Sequence, residues 1–363
     1  MIWVDGVPFS TSSSKGSDLC LTLMEHPVLV SASHSLKAKQ ERKFSLSELS
    51  SSQTSTQSRW VYIFQREYAT VDPALVDYVG TDEATTCVGL VIRNQKNGMT
   101  SFAHMDFLKV VDVGLTQMLS GVVDHTIDVD LDVHLIGGFE DVSPKQANGT
   151  SRSNSLPKLD GYSLPLCAKI IETLAERKER FHIRTLFVLD HNTETDSEEN
   201  TYPIFNGFVV EMSTGSINPA RFDRTTRCPD EIVRRIRVGA SYQDPTWDGK
   251  LLETYDTLAD RFVIAACSWN LYQLHVALTL QHLSDVEILL SCSTSPSAEG
   301  PDFVDNMRRQ WDYLIEHPDW QYTFPNRQPH IFERTADGGW RRWLQSSQDT
   351  SQEPLAENLL QTM

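Results

Sequence analysis

Apolar and polar positions recur along this chain with two different periods, and each change of period marks a new element. Trp60 to Tyr68, rich in aromatic and β-branched residues, predicts a strand. Val88-Gly89-Leu90-Val91-Ile92 is an apolar run that predicts another. Arg93-Asn94-Gln95-Lys96-Asn97-Gly98 carries turn chemistry, and Met99 to Asp106 returns as the second arm of a hairpin. Leu108, Val111, Leu115, Met118, Leu119 and Val122 then recur at helical spacing. Val129, Leu131, Val133 and Leu135 alternate strictly, as in a half-buried strand, which turns His134 away from the buried face. Ser163 is placed to cap a helix running to about Arg180, with Leu166, Ile170, Ile171 and Leu174 inward. Thr185–Leu189 and Ile204–Met212 predict strands, the latter ending in the Ser213-Thr214-Gly215-Ser216 turn. Pro229 opens a helix that Gly239 closes. His330–Arg334 and Trp340–Trp343 flank Asp337-Gly338-Gly339, a hairpin signal.

Hairpins outnumber strand–helix–strand units in this reading, which favours an α+β fold with largely antiparallel sheets. Serine-rich Ser45–Ser58 and polar Asp141–Asp160 read as surface insertions in one domain spanning residues 1–344, and residues 345–363 as a disordered tail. Phe262 to Ser284 carries no formal charge and is long enough to cross a bilayer. Asn270, Gln273, His275, Gln281 and His282 interrupt it, so it reads as buried strand and loop.

Composition narrows the function classes. With 40% hydrophobic and 22% charged residues the chain is a globular protein. A formal charge of −17 argues against nucleic acid as partner and suits a cationic one, such as a free peptide N-terminus. Cys20, Cys87, Cys167, Cys228, Cys267 and Cys292 are widely spaced, with no Cys-x-x-Cys or mixed Cys/His signature. They are expected as reduced thiols, and neither metal nor cofactor is expected. Met1 to Gly6 lacks the basic and apolar regions of a secretory signal.

The candidate chemistry lies in the hairpin. If Arg93 pairs with Gly98, Cys87 comes directly across from His104, with Cβ atoms roughly 5 Å apart. A thiol beside a base is a potential nucleophile. Gly89 then lies on the same face opposite Phe102 and leaves open space beside the sulfur. A packed structural cysteine would leave the same trace, since buried thiols are common. Backbone N–H groups at the end of Thr85-Thr86-Cys87 are natural oxyanion donors. Asp106 shares a face with His104 and is one candidate to orient it. Asp82 and Glu83 are placed to pair with a substrate ammonium, or else are simply solvated.

Gly80-Thr81-Asp82-Glu83-Ala84-Thr85-Thr86-Cys87, with the hairpin and His104–Asp106 after it, closely resembles the eukaryotic protein N-terminal asparagine amidohydrolases. Val133-His134-Leu135-Ile136-Gly137-Gly138-Phe139, Leu290, Ser293-Thr294-Ser295-Pro296 and Pro301-Asp302-Phe303-Val304 extend the resemblance over most of the chain. The resemblance implies a cysteine hydrolase that converts an N-terminal asparagine to aspartate in the N-degron pathway, in the cytoplasm with the nucleus as a second location. It implies protein or peptide substrates with a free N-terminal Asn, with downstream enzymes of that pathway as further partners. It also implies distant kinship with bacterial Cys–His deamidases built on a sandwich of antiparallel sheets. There a hydroxyl at a corresponding offset accompanies the dyad, which makes Thr81 the candidate third member, against an ordinary turn threonine. Two other classes stay open: a cysteine acyl transferase or peptidase, and a non-catalytic module that binds N-termini.

Overall fold

The computed structural model describes residues 1–10, 16–45, 58–123, 129–142, 161–336 and 338–343. Nearly all of both expected insertions, and the expected tail, lie outside them.

Two sheets packed face to face carry the site. The larger has eight strands, in the order Leu252–Glu253, Glu67–Val71, Thr100–Met105, Val88–Asn94, Asp130–Gly137, Arg180–Phe187, Ile2–Val4, Val7–Pro8. The second has five, in the order Arg42–Phe44, Ser216–Phe222, Phe208–Glu211, Tyr78–Thr81, Trp60–Tyr62. A four-stranded antiparallel sheet holds the Arg261–Ile264, His330–Arg334 and Trp340–Arg342 strands, so the expected late hairpin is present.

Strand periodicity explains the layering. Val88, Leu90, Ile92, Ala103 and Met105 point to one face of the large sheet, against the Val110–Val122 and Ser163–Glu176 helices. Val91, Phe102, Ile136 and Phe187 point to the other, against Val79, Phe208 and Val210 of the second sheet. The chain is therefore layered helix, sheet, sheet, and the antiparallel expectation holds only in part. Asp130–Gly137 and Arg180–Phe187 run parallel, joined through the Ser163–Glu176 helix. That crossover was obscured because polar residues 141–160 separate its strand from its helix. The helix itself starts on Asp141, whose carboxylate accepts the N–H groups of Tyr162 (2.7 Å) and Ser163 (3.3 Å), rather than on a Ser163 cap. His134 is buried against Thr185 (3.0 Å), a structural histidine.

Further expectations are overturned: the single Trp60–Tyr68 strand is split, with Trp60–Tyr62 in the second sheet and Glu67–Val71 in the large one. Leu271–Leu280 is a helix rather than strand or loop, started by a reciprocal capping box between Asn270 and Gln273. No helix among the described residues is long and apolar enough to cross a membrane. The hairpin register also differs: Gly89, not Cys87, faces His104, and Arg93 faces Thr100 instead of Gly98. The turn closes on Asn94, whose N–H donates to Met99 O (2.9 Å) and whose Oδ1 accepts the Lys96 N–H (2.9 Å). Its Nδ2 donates to Val122 O (2.8 Å), so this asparagine is the last strand residue instead of the first turn residue. The slip is two residues, an even number, so His104 and Gly89 keep their expected face.

Candidate active site

Thr81 ends a strand of the second sheet, and His104 lies in the large one. Their side chains meet between the sheets, Thr81 Oγ1 to His104 Nδ1, at 2.8 Å. Thr81 Oγ1 also donates to Ile63 O at 2.6 Å. A hydroxyl has one proton. With that proton on Ile63, Thr81 accepts the Nδ1–H of His104, which leaves Nε2 with its lone pair. Nε2 is buried and finds no hydrogen-bond partner among the described residues. The imidazole is thus held in the tautomer of a base.

Gly89 shapes the wall beside it. A Cβ there would stand 2.2 Å from Phe208 Cζ, so glycine admits the Phe208 ring, which stacks on Phe102 with centroids 5.0 Å apart. The space expected beside the sulfur is filled by this ring.

Cys87 follows the loop from Asp82 and stands just before the Val88–Asn94 strand. Its carbonyl accepts the Gly138 N–H at 2.7 Å, and a Cβ at Gly137 (φ +109°) would sit 2.7 Å from that oxygen. The Gly137-Gly138 pair therefore admits the backbone of the chain's own Cys87. Cys87 and His104 line one cavity of about 450 Å³, with Glu83, Asp106, Tyr242 and Glu299 among the other walls. Burial first, then the Asp106 and Glu299 carboxylates, holds the thiol well above its ordinary pKa. Burial lowers His104 to about 4. Both directions favour a neutral thiol and a neutral imidazole over an ion pair.

The three expected acids divide. Asp82 is buried away from the cavity, accepting from Tyr62 Oη (2.6 Å), Phe222 N (2.8 Å) and Arg227 Nη2 (2.9 Å). It braces the second sheet and is not an ammonium partner. Glu83 lines the cavity in a left-handed conformation (φ 61°), but its oxygens are held by Arg227, Arg235 and Asn306 at 2.7–3.1 Å. Asp106 does not orient His104, a place Thr81 takes. Its Oδ2 accepts from Gln65 (3.2 Å) and Tyr242, while its Oδ1 is buried with no partner among the described residues. Burial raises its pKa. Glu299 is raised to about 7, mainly by burial, and accepts the Ser293 hydroxyl.

The model of the family described as protein N-terminal asparagine amidohydrolase matches residues 50–342. This chain belongs to that family. A protein N-terminal asparagine amidohydrolase of Arabidopsis thaliana is 57% identical over 350 residues, covering 94% of this chain and all of the relative. Those of Sus scrofa and Homo sapiens are 31% and 30% identical, covering 77% and 78% of this chain and 83% of each relative. In this amidohydrolase the hairpin residues were open to sequence reasoning, whereas Glu299, Arg227 and Tyr242 were missed. The Pro301–Val304 match was the available signal, since Asp302 pairs with Arg227 at 2.7 Å.

Proposed function

We propose that this amidohydrolase converts the side-chain amide of an N-terminal asparagine, in a protein or peptide, to aspartate and ammonia through a thioester on Cys87. The observation that carries the mechanism is the unpartnered Nε2 of His104 in the cavity that Cys87 also lines, with Nδ1 engaged by Thr81.

The resting thiol is protonated, so attack and proton transfer are coupled. Cys87 Sγ bonds to the carboxamide carbon as its proton passes to His104 Nε2. The developing oxyanion is met by backbone N–H groups at the end of the Thr85–Cys87 loop. Collapse breaks the carbon–nitrogen bond, and His104 returns the proton to the leaving ammonia. Water, deprotonated by His104, then cleaves the thioester and restores the thiol. Thr81 keeps the imidazole in register throughout.

Asp106 is the acid best placed for the substrate ammonium, because Oδ1 is buried and bare. A buried ammonium is tolerated only when paired. Glu299 is a second acid lining the same cavity. The same reading carries with it the N-degron role and the kinship with bacterial Cys–His deamidases that the sequence resemblance implies.

Ammonia release from an Asn-initiated peptide, its N-acetylated form and an internal-Asn peptide tests the reading. Only the first is expected to react. Equal rates for all three would replace it with a general deamidase, and peptide-bond cleavage without ammonia would favour a peptidase.

A further inference from the structure

The loop that delivers Cys87 is anchored at both ends. At its start, Asp82 and Glu83 are tied to Arg227 and the Ala84 N–H to Asn206 O (2.8 Å). At its end, the Cys87 carbonyl is tied to Gly138. Between them lie Thr85 and Thr86, both buried. Their side chains are held from a distant part of the chain. Ser295 Oγ donates to Thr85 Oγ1 at 2.9 Å, and Thr86 Oγ1 bonds Thr294 Oγ1 at 3.0 Å. These partners are 210 and 208 residues away in sequence.

The reaching segment is itself braced. Ser293, directly after the Asp285–Cys292 helix, accepts the Ser295 N–H on its hydroxyl (3.0 Å), a local turn that side-chain hydroxyls favour. The same hydroxyl donates to Glu299, and the Ala298 N–H closes on Ser295 O at 2.9 Å. Helix end, Ser293–Ser295 and Glu299 form one unit that grips the loop through two hydroxyl pairs.

We propose that Thr294 and Ser295 are positioning residues for the reaction: they clamp Thr85 and Thr86, and so set the position of Cys87 and of the backbone N–H groups before it. This rests on the reading of Cys87 as the nucleophile. Thr294 lines the cavity that Cys87 and His104 share and Ser295 lies behind it; the proposal gives neither residue a bond-making or proton-transfer step. The clamp acts because attack geometry is steep, and small displacements of a nucleophile cost large factors in rate.

The test compares Thr294→Val, Ser295→Ala and Thr86→Val with Thr294→Ser, which keeps the hydroxyl. Ammonia release from an Asn-initiated peptide and the thermal midpoint are measured for each. Thr294→Val and Ser295→Ala are expected to lower kcat by roughly tenfold or more with KM changed by less than about twofold. Thr294→Ser should restore kcat, and Thr86→Val with Thr294→Val should be no slower than Thr86→Val alone. Should the valine variant not fold, Thr294→Ala against Thr294→Ser carries the same comparison. Wild-type kcat in Thr294→Val and Ser295→Ala overturns the clamp. So does loss confined to the thermal midpoint, or independent, multiplying effects of the two threonines. Cys87→Ser is run beside them: if it releases ammonia, the nucleophile reading has failed. If it is dead while the clamp variants are fully active, only the clamp has.

Discussion

Thr81 has one hydroxyl proton, and Ile63 O takes it; the chemistry assigned to His104 depends on that choice. Thr81→Val removes the acceptor for Nδ1–H and leaves a buried donor unpaired, at a cost of about 1–3 kcal/mol. Kcat is expected to fall by roughly tenfold or more while Thr81→Ser recovers most of it, as measured by ammonia release. Equal loss in both variants would assign the threonine a packing role. The acids give an opposed pair. Asp106→Asn should raise KM and leave alkylation of Cys87 by iodoacetamide unimpaired. Asp82→Asn should lower the thermal midpoint instead, because it breaks the buried pair with Arg227. That Cys87 and His104 share one cavity was legible because they lie within one hairpin, whereas Thr81 was suggested only by the resemblance to the bacterial deamidases. The role of Asp82 was not, since Phe222 and Arg227 lie 140 and 145 residues further on.

At the level of elements, Gly89 joins the two sheets by having no side chain. Gly89→Ala forces Phe208 to move, and overpacking of this kind costs about 1–3 kcal/mol. Urea unfolding should show that loss, and Phe208→Leu in the same chain should recover part of it. A Gly89→Ala protein as stable as wild type would mean that the sheets slide freely past one another. The hairpin shows what a pattern can and cannot tell. Alternation identified both arms and, because the slip was even, the inward face as well. Register was beyond it, because Asn94 is held by Val122 O, a contact of the following helix with the turn. Leu271–Leu280 was misread for a related reason: it buries only Ala277, so no apolar stripe marks it as helical. The Asn270–Gln273 cap was the signal present.

For the molecule as a whole, the proposed reading puts a Cys87–His104 pair, favoured in its neutral form, in a cavity walled by acids, and so predicts two different pH profiles. His104 must be unprotonated to act as base, and its pKa is lowered to about 4. Kcat should therefore persist to mildly acidic pH and be lost only as pH falls towards 4. Glu299, at about 7 in the free enzyme, loses its charge as pH falls through neutrality. Kcat/KM, which reports the free enzyme, should decline there first. Rates measured from pH 4 to 9 check both limbs, and a single shared limb near the ordinary histidine value would contradict the arrangement.

The same acids bear on how the cycle ends. A neutral carboxamide enters the cavity, and a carboxylate is made beside Asp106 and Glu299. Like charges about 5 Å apart at an effective dielectric near 20 repel by about 3 kcal/mol. On the proposed binding mode the ammonium anchors both substrate and product, whereas only the product is also pushed by its new charge. On that reading the reaction itself supplies a push towards product release. An Asp-initiated peptide should inhibit weakly, and Glu299→Gln should make it a stronger inhibitor relative to substrate, as competition assays would measure.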